Sequence, residues 1–456
     1  MSERSAKIEK LFWIFLFISP LMDLINGIRM YLAAGGIGGM LSTLNLQELP
    51  GLGPSLIVRI LFLALMLVFL FLRKTFRGFW PFLLIALCWG ATLLCELRSG
   101  AAVDWKADWL YMARFCYCLL VLLSYSILLE NRRGDMALKR SIDRILCAGQ
   151  GLLALGVVLP FLFGAGFYTY ADPLGYRGCR GFFYAGNDIT ASLLLLMPLT
   201  LCEYIAPRAE DSAKRLSVLC ALSAVTLAAM LLIGTKTSFV AIAVIWLAFL
   251  CYAVCRAFAA RETAPLLRLL AALAATVLVL LLLKWLGRAD PFETIFGSIR
   301  GVEQYTDIVD IENGRGVETI LLSGRTGTLR QAWAEFVARL PLSALFGIGR
   351  GTQSKIIEMD LFEVLLYYGL CGAASMLWIY VKKGLSLLLA LLRARALPAL
   401  AGLLSLGLCA GYLLLAGHVL FSTTAGFFFS FVMAYALTFL TEERAMPPKK
   451  AGSDAP

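Results

Sequence analysis

Glu358, Asp360 and Glu363 lie together in Glu358-Met359-Asp360-Leu361-Phe362-Glu363, at the entry to an apolar run. Carboxylates at the mouth of an apolar helix can act as general bases or hold a cation, and burial among apolar neighbours raises their affinity for a proton. In a continuous helix residues two apart face different sides, so Glu358 and Asp360 diverge while Glu363 lies near the face of Asp360. The same stretch also fits the ordinary acidic enrichment of a first helical turn, which complements the helix dipole. His418, the only histidine, sits in Ala416-Gly417-His418-Val419 between the last two apolar runs. Its ring titrates near neutral pH and suits proton transfer, and a lone histidine serves as readily as a structural hydrogen-bonder. The histidine is solitary and no Cys/His spacing marks a zinc site, so a metal is not expected.

Cations complement these groups. Arg177 and Arg180 precede the aromatic stretch Phe182-Phe183-Tyr184, and a guanidinium fork suits phosphate oxygens because it donates two parallel hydrogen bonds. The aromatic rings could stack on sugar faces or form an interfacial belt. Lys236 sits in the turn Gly234-Thr235-Lys236-Thr237-Ser238, ahead of an apolar run. This turn lacks the full spacing of a nucleotide-binding loop, yet a lysine beside a helix N-terminus suits an anion. Arg325 follows Ser323-Gly324 in a constellation that continues through Trp333, Pro341-Leu342 and Gly347-Ile348-Gly349 to Glu358. Arg59, Arg114, Asp188, Lys236 and Lys284 lie near the ends of apolar runs, and Asp23 lies deep inside one. Ionisable groups in hydrocarbon are costly and pair with one another or face water, so this set points to a polar cavity.

The elements that position these residues are membrane helices. Of the 456 residues 60% are hydrophobic and 16% charged, which excludes a soluble enzyme, a disordered chain and a fibrous repeat. A helix needs about 20 mostly apolar residues to cross a bilayer, and twelve runs qualify. They are 11–31, 55–72, 79–95, 109–129, 145–163, 189–206, 216–233, 237–256, 266–286, 361–381, 398–416 and 419–440, with 382–395 either extending the tenth or lying on the surface. The runs are continuous rather than alternating, so the fold class is an all-α polytopic membrane protein, one integral domain over residues 1–456.

The net charge of +11 is an orientation signal and does not point to nucleic acid. Twenty-four of the 41 Lys+Arg fall at the termini and in one alternating set of loops, which the positive-inside rule makes cytoplasmic, with both termini inside. The long segments 164–188 and 287–360 are then external. Within the second, Leu329, Trp333, Phe336, Val337 and Leu340 recur at helical spacing, predicting an amphipathic helix near 328–340 that lies on the membrane or over a cavity. The first apolar run is not followed by a small-residue cleavage site and reads as a retained span. The twelve cysteines show no metal-type spacing and read as packing residues rather than a disulfide framework, Cys179 alone lying clearly in an external loop. No internal repeat relates the two halves, which weighs against an inverted-repeat transporter.

The constellation Ser323-Gly324-Arg325, Trp333, Pro341-Leu342, Gly347-Ile348-Gly349 and the acidic pair Glu358 and Asp360 ahead of Gly369 resembles the core of the O-antigen ligase and O-antigen polymerase superfamily. The Tyr184–Asn187 region and the Gly234–Ser238 turn resemble it too. The resemblance implies a polytopic bacterial glycosyltransferase of the GT-C type, with a large external loop between spans nine and ten, in the plasma membrane. It implies transfer of a glycan from an undecaprenyl-pyrophosphate carrier to an acceptor hydroxyl on a glycan or lipid, for a surface polysaccharide. Arg177, Arg180, Lys236 and Arg325 would hold the pyrophosphate, and Glu358, Asp360 or His418 would supply a base. No cofactor or metal is implied, since fixed positive charge can stabilise the leaving group. Two positions depart from the family pattern. Lys236 replaces an arginine, losing bidentate phosphate contact, and Glu358-Met359 stands where many ligases carry His-Asn. Two other classes fit parts of the sequence: a flippase of lipid-linked glycans, and a scaffold docking envelope-assembly partners. A flippase needs polar lining through both leaflets, whereas these charges concentrate on one side.

Overall fold

The computed structural model describes residues 3–36, 39–41, 53–73, 79–100, 102–172, 175–206, 213–287, 290–297, 325–353, 357–394, 396–415 and 417–441. The first two thirds carry α1 (Glu3–Ala33), α2 (Pro54–Leu72), α3 (Trp80–Arg98), α4 (Trp105–Glu130), α5 (Met136–Leu162), α6 (Gly186–Ile205), α7 (Ala213–Ile233), α8 (Lys236–Ala259) and α9 (Ala264–Leu286). A β-hairpin, β1 (Phe167–Asp172) and β2 (Gly175–Gly181), stands between α5 and α6. Then come α10 (Arg325–Ala338), α11 (Leu342–Phe346), α12 (Asp360–Ala394), α13 (Leu397–Leu415) and α14 (Ala425–Phe439). Eleven of the described helices are long and apolar enough to cross a membrane. The chain is an all-α polytopic membrane protein.

Local chemistry sets several helix starts. Asp104 and Asp135 cap α4 and α5 by accepting the N–H groups of Ala107 and Leu138, both at 3.0 Å, and Thr235 caps α8 by accepting that of Ser238 at 3.1 Å. Pro54, Pro81 and Pro265 occupy first-turn positions, where the missing N–H costs nothing. α6 is buried along nearly its whole length and, with α4, α5 and α14, forms the centre of the bundle. α2, α3, α8 and α9 are peripheral and leave residues such as Phe71, Leu87, Leu247 and Leu278 exposed, as lipid-facing helices must. One aromatic knot joins α1, α2, α4 and α14: Phe12 and Phe15 pack on Phe62, and Tyr125 packs on Phe12 and Phe431.

Two details differ from the sequence expectation, and the open placement of 382–395 is decided, for its described residues, in favour of a longer tenth span. The twelfth apolar run does not begin at 419, because residues 417–424 form a turn. There Val419 and Leu420 give their N–H groups to Asp360, and Ser422 Oγ takes those of Thr424 and Ala425, so α14 starts late and has 15 residues. Residues 382–394 continue α12 rather than lying apart from it. Segment 164–188 is no plain loop, and Cys179 within it is fully buried. Its hairpin packs on α5 and α7, where Gly178 and Gly181, both at positive φ, come so close to Ile233 and Gly156 that a Cβ would overlap backbone. All twelve cysteines are free thiols.

α12 is not one regular helix. At Gly369 (φ 66°, ψ −170°) the backbone leaves helical geometry, and nearby the carbonyls of Leu366 and Tyr367 accept the N–H groups of Ile348 and Gly349, both at 2.9 Å. Gly347 faces this break at φ 76°, and a Cβ on either Gly347 or Gly369 would lie within 2.5 Å of the opposing backbone. The segment after α11 is thereby locked onto the helix that carries Asp360 and Glu363.

Candidate functional site

Leu41 pairs with Phe167 of the hairpin, Gly178 meets Ile233 at the end of α7, the Asp104 N–H donates to the Gly351 carbonyl and the Val419 N–H to Asp360, at the end of the bundle called here the hairpin face. Asp360 and Glu363 stand one helical turn apart at the start of α12, fully buried, and His418 approaches them from the α13–α14 turn. Each carboxylate is pinned by one oxygen. Asp360 Oδ2 accepts the Val419 and Leu420 N–H groups at 2.7 Å each, and Glu363 Oε1 accepts the Glu358 N–H at 2.6 Å. The other oxygens, Asp360 Oδ1 and Glu363 Oε2, lie 3.5 and 3.6 Å from His418 Nδ1. None of these three atoms makes a hydrogen bond among the described residues. The His418 ring is 25% exposed, so the cluster reaches the hairpin face on that side. Burial opposes a charged His418 ring, but Glu363 and Asp360 outweigh it and raise its pKa to about 9.

Glu358 stands outside the helix, at φ 62°, a conformation rare for a side chain larger than glycine. The hydrogen bond from its N–H to Glu363 helps hold it there. Its carboxylate is 46% exposed and meets Arg325, at the N-terminus of α10, whose Nη2 and Nε both donate to Oε2, at 2.9 and 3.1 Å. Lys236, half-buried at the N-terminus of α8, feels the charge of Arg325. The structure therefore joins three residues named from the sequence, Arg325, Glu358 and Lys236, next to two others, Asp360 and His418. Glu363, whose shared face with Asp360 was legible, proves to be the link between the two sets.

Arg177 and Arg180 stand apart, on β2. Arg180 is buried, with its guanidinium 5.7 Å from the centre of the Phe167 ring, and burial lowers its pKa to about 10. Its electrostatic neighbours are Tyr184 and Cys179, not Arg325 or Lys236. Of the charges near helix ends, Asp23 pairs with Arg59 and accepts the Thr424 hydroxyl at 2.7 Å, so the deep carboxylate is neutralised as hydrocarbon demands. Asp188 feels His418 and Arg114, whereas Lys284 bonds Asp290 at 2.9 Å away from this group. Ser323, Gly324 and the segment 298–322 lie outside the described residues.

A second acidic cluster went unnoticed in the sequence. Glu96 at the end of α3 and Asp108 in the first turn of α4 are both 1% exposed. Trp89 Nε1 donates to Asp108 Oδ2 at 2.6 Å, and the Tyr368 hydroxyl donates to Oδ1 at 3.4 Å. Arg350 lies over them, nearly buried, with its Nη1 hydrogen-bonded to the Gln353 carbonyl. Glu96 presses against Gly349 so closely that a Cβ there would lie 1.4 Å from Oε1. Neither residue belongs to a motif, and no sequence pattern marks their meeting.

The curated proteins searched contain no match to the chain. The sequence profile described as O-antigen ligase like membrane protein matches residues 5–300. That interval contains Arg177, Arg180 and Lys236 and ends before Arg325, Glu358, Asp360 and His418. It covers well over half of the 456 residues. The chain therefore belongs to the O-antigen ligase like membrane protein family, as its residues had suggested.

Proposed function

We propose that this protein is a glycosyltransferase of the bacterial plasma membrane, with both termini cytoplasmic and the hairpin face external. It ligates or polymerises oligosaccharide units from an undecaprenyl-pyrophosphate-linked donor onto an acceptor hydroxyl of a glycan or lipid, in surface polysaccharide synthesis. Family membership supports the reaction class. The observation that carries the assignment of residues is the Arg325–Glu358 pair with Lys236 beside it: two cations and one accessible carboxylate at the same face.

In this reading the pyrophosphate of the donor competes with Glu358 for Arg325 and is held by Arg325 and Lys236. Charge-assisted hydrogen bonds to the phosphate oxygens then stabilise the negative charge that grows as the sugar leaves. Glu358, released from its partner, accepts the proton of the acceptor hydroxyl. The acceptor oxygen forms the new bond to the anomeric carbon. The bond from that carbon to the pyrophosphate oxygen breaks, and the electron pair leaves on undecaprenyl pyrophosphate. Fixed cations alone can neutralise the leaving group in this scheme. Asp360 and His418 position the start of α12, and through Glu363 they position Glu358. Arg180, packed over Phe167 within the hairpin, is not assigned to the pyrophosphate, nor is its strand neighbour Arg177.

The test is reconstitution. Purified protein in lipid vesicles, given an undecaprenyl-pyrophosphate oligosaccharide and an acceptor, yields a transferred or lengthened glycan. Absence of product together with transbilayer movement of the donor would replace this reading by a flippase. Arg325→Ala that leaves turnover intact would remove the pyrophosphate clamp.

A further inference from the structure

We propose that Asp360, Glu363 and His418 form a binding site for one divalent cation of the Mn²⁺ or Zn²⁺ class, liganded by Asp360 Oδ1, Glu363 Oε2 and His418 Nδ1.

The first argument is geometric. One ligand atom from each of the three residues lies within 4.8 Å of those of the other two, and His418 Nδ1 is 3.5 Å from Asp360 Oδ1 and 3.6 Å from Glu363 Oε2. An N–H···O hydrogen bond is optimal near 2.9–3.0 Å, so the separations are long for direct bonding. Two ligands on one ion, each about 2.0–2.2 Å from it, are instead about 3.0–3.5 Å apart in octahedral or tetrahedral arrangements. The two histidine–carboxylate separations already stand close to that range.

The second argument is satisfaction. Both carboxylates are fully buried, and each keeps one oxygen without a hydrogen bond among the described residues. A proton on Nδ1 can be donated to one of these oxygens at full strength, leaving the free oxygen of the other carboxylate buried without a hydrogen bond, which is costly. A divalent cation engages all three atoms at once. It also balances two carboxylate charges against a neutral imidazole.

The third argument is preorganisation. The Val419, Leu420 and Glu358 N–H groups fix the non-ligating oxygens, which is the role outer-shell hydrogen bonds play around metal ligands. One imidazole with two carboxylates suits Mn²⁺ and Zn²⁺ better than soft, thiolate-seeking ions. Three protein ligands with a histidine 25% exposed leave coordination positions open toward the hairpin face. The cation would tie the start of α12 to the α13–α14 turn and, through Glu363, fix the backbone of Glu358. No metal-type spacing marks the site because two ligands come from a helix start and the third from a turn two helices' length away. The proposal does not require the transfer reaction.

The experiment uses the full chain in detergent, stripped with a chelator, equilibrated with Mn²⁺ and desalted. Mn²⁺ is chosen because the twelve cysteines compete for softer ions. Elemental analysis is expected to find about one Mn²⁺ per chain, and paramagnetic resonance a bound rather than aqueous signal. His418→Ala and Glu363→Gln should each lose at least ten-fold in affinity while eluting as monodisperse protein. Asp360→Asn is avoided because Asp360 also holds the turn. Absence of retained Mn²⁺ in the wild type, or equal retention in both variants, would overturn the site. If either variant does not fold, Mn²⁺ protection of the wild type against thermal unfolding decides: a rise in midpoint supports the site and no change rejects it.

Discussion

Two acidic clusters lie at the same face, built from the same residue types and organised in opposite ways. In the Glu96–Asp108–Arg350 cluster the carboxylates are closed in by Trp89, Tyr368 and the backbone of Gly349, and both are 1% exposed. In the Asp360–Glu363–His418 cluster each carboxylate is tethered through one oxygen, and the other is aimed toward a partly exposed ring that reaches the site surface. Burial alone therefore does not mark the functional acids. What separates the clusters is an open direction: the second continues through Glu358 to Arg325, and the first ends against glycine.

The largest contrast should be catalytic. Glu358→Gln is expected to lower turnover of a lipid-linked donor by about 10²-fold or more, the scale of losing a general base, while Glu96→Gln stays within about three-fold of wild type. Equal losses in the two variants, measured as transferred glycan, would erase the distinction. Next, Lys236→Ala should cost about 10²-fold in turnover, as removal of one preorganised donor does, and Lys236→Arg should recover most of it because a guanidinium also grips phosphate. Failure of arginine to rescue would mean that Lys236 serves packing. A stability contrast follows. Gly349→Ala places a methyl group against Glu96 at φ 76° and should cost about 1–3 kcal/mol, whereas Gly407→Ala, whose Cβ meets nothing within 4 Å, should be neutral. Scanning fluorimetry in detergent reads both, and an unshifted Gly349 variant would show that the closed cluster yields easily. The smallest effect is Ser422→Ala, which removes the hydroxyl that accepts the Thr424 and Ala425 N–H groups ahead of α14, at about 0.5–1.5 kcal/mol, and should loosen the turn that presents His418. Hydrogen exchange at Val419 and Leu420 would detect it; unchanged protection would mean that Asp360 holds those two N–H groups without help from Ser422.

The membrane helices were legible because each is a continuous apolar run, and lipid tolerates little else. The pairing of Asp23 was legible in kind, since a carboxylate at that depth needs a partner, although Arg59 as the partner was not. Asp360 and Glu363 shared a predicted face through helix spacing alone. Their meeting with His418 could not be read, because it depends on how α12 packs against the α13–α14 turn. The hairpin escaped for another reason: Phe167–Gly181 is rich in aromatics and glycine but lacks the strict alternation that marks a strand. The break at Gly369 was hidden too, since a glycine inside an apolar run reads as ordinary membrane helix until Gly347 is seen opposite. Arg180, attractive as a phosphate ligand by type, turned out to be buried on Phe167.

α10 carries Arg325 at its first residue and exposes Trp333 and Val337, followed by Leu340 and Leu342. An apolar flank of this kind settles at the boundary between headgroups and acyl chains. With α10 at that boundary, Arg325 would be tied to two references at once: Glu358, hydrogen-bonded through its N–H to buried Glu363, and a helix whose height would follow the lipid surface. A thicker bilayer would draw α10 outward relative to Glu358 and a thinner one would draw it inward, so hydrophobic thickness becomes a setting for the distance between cation and carboxylate.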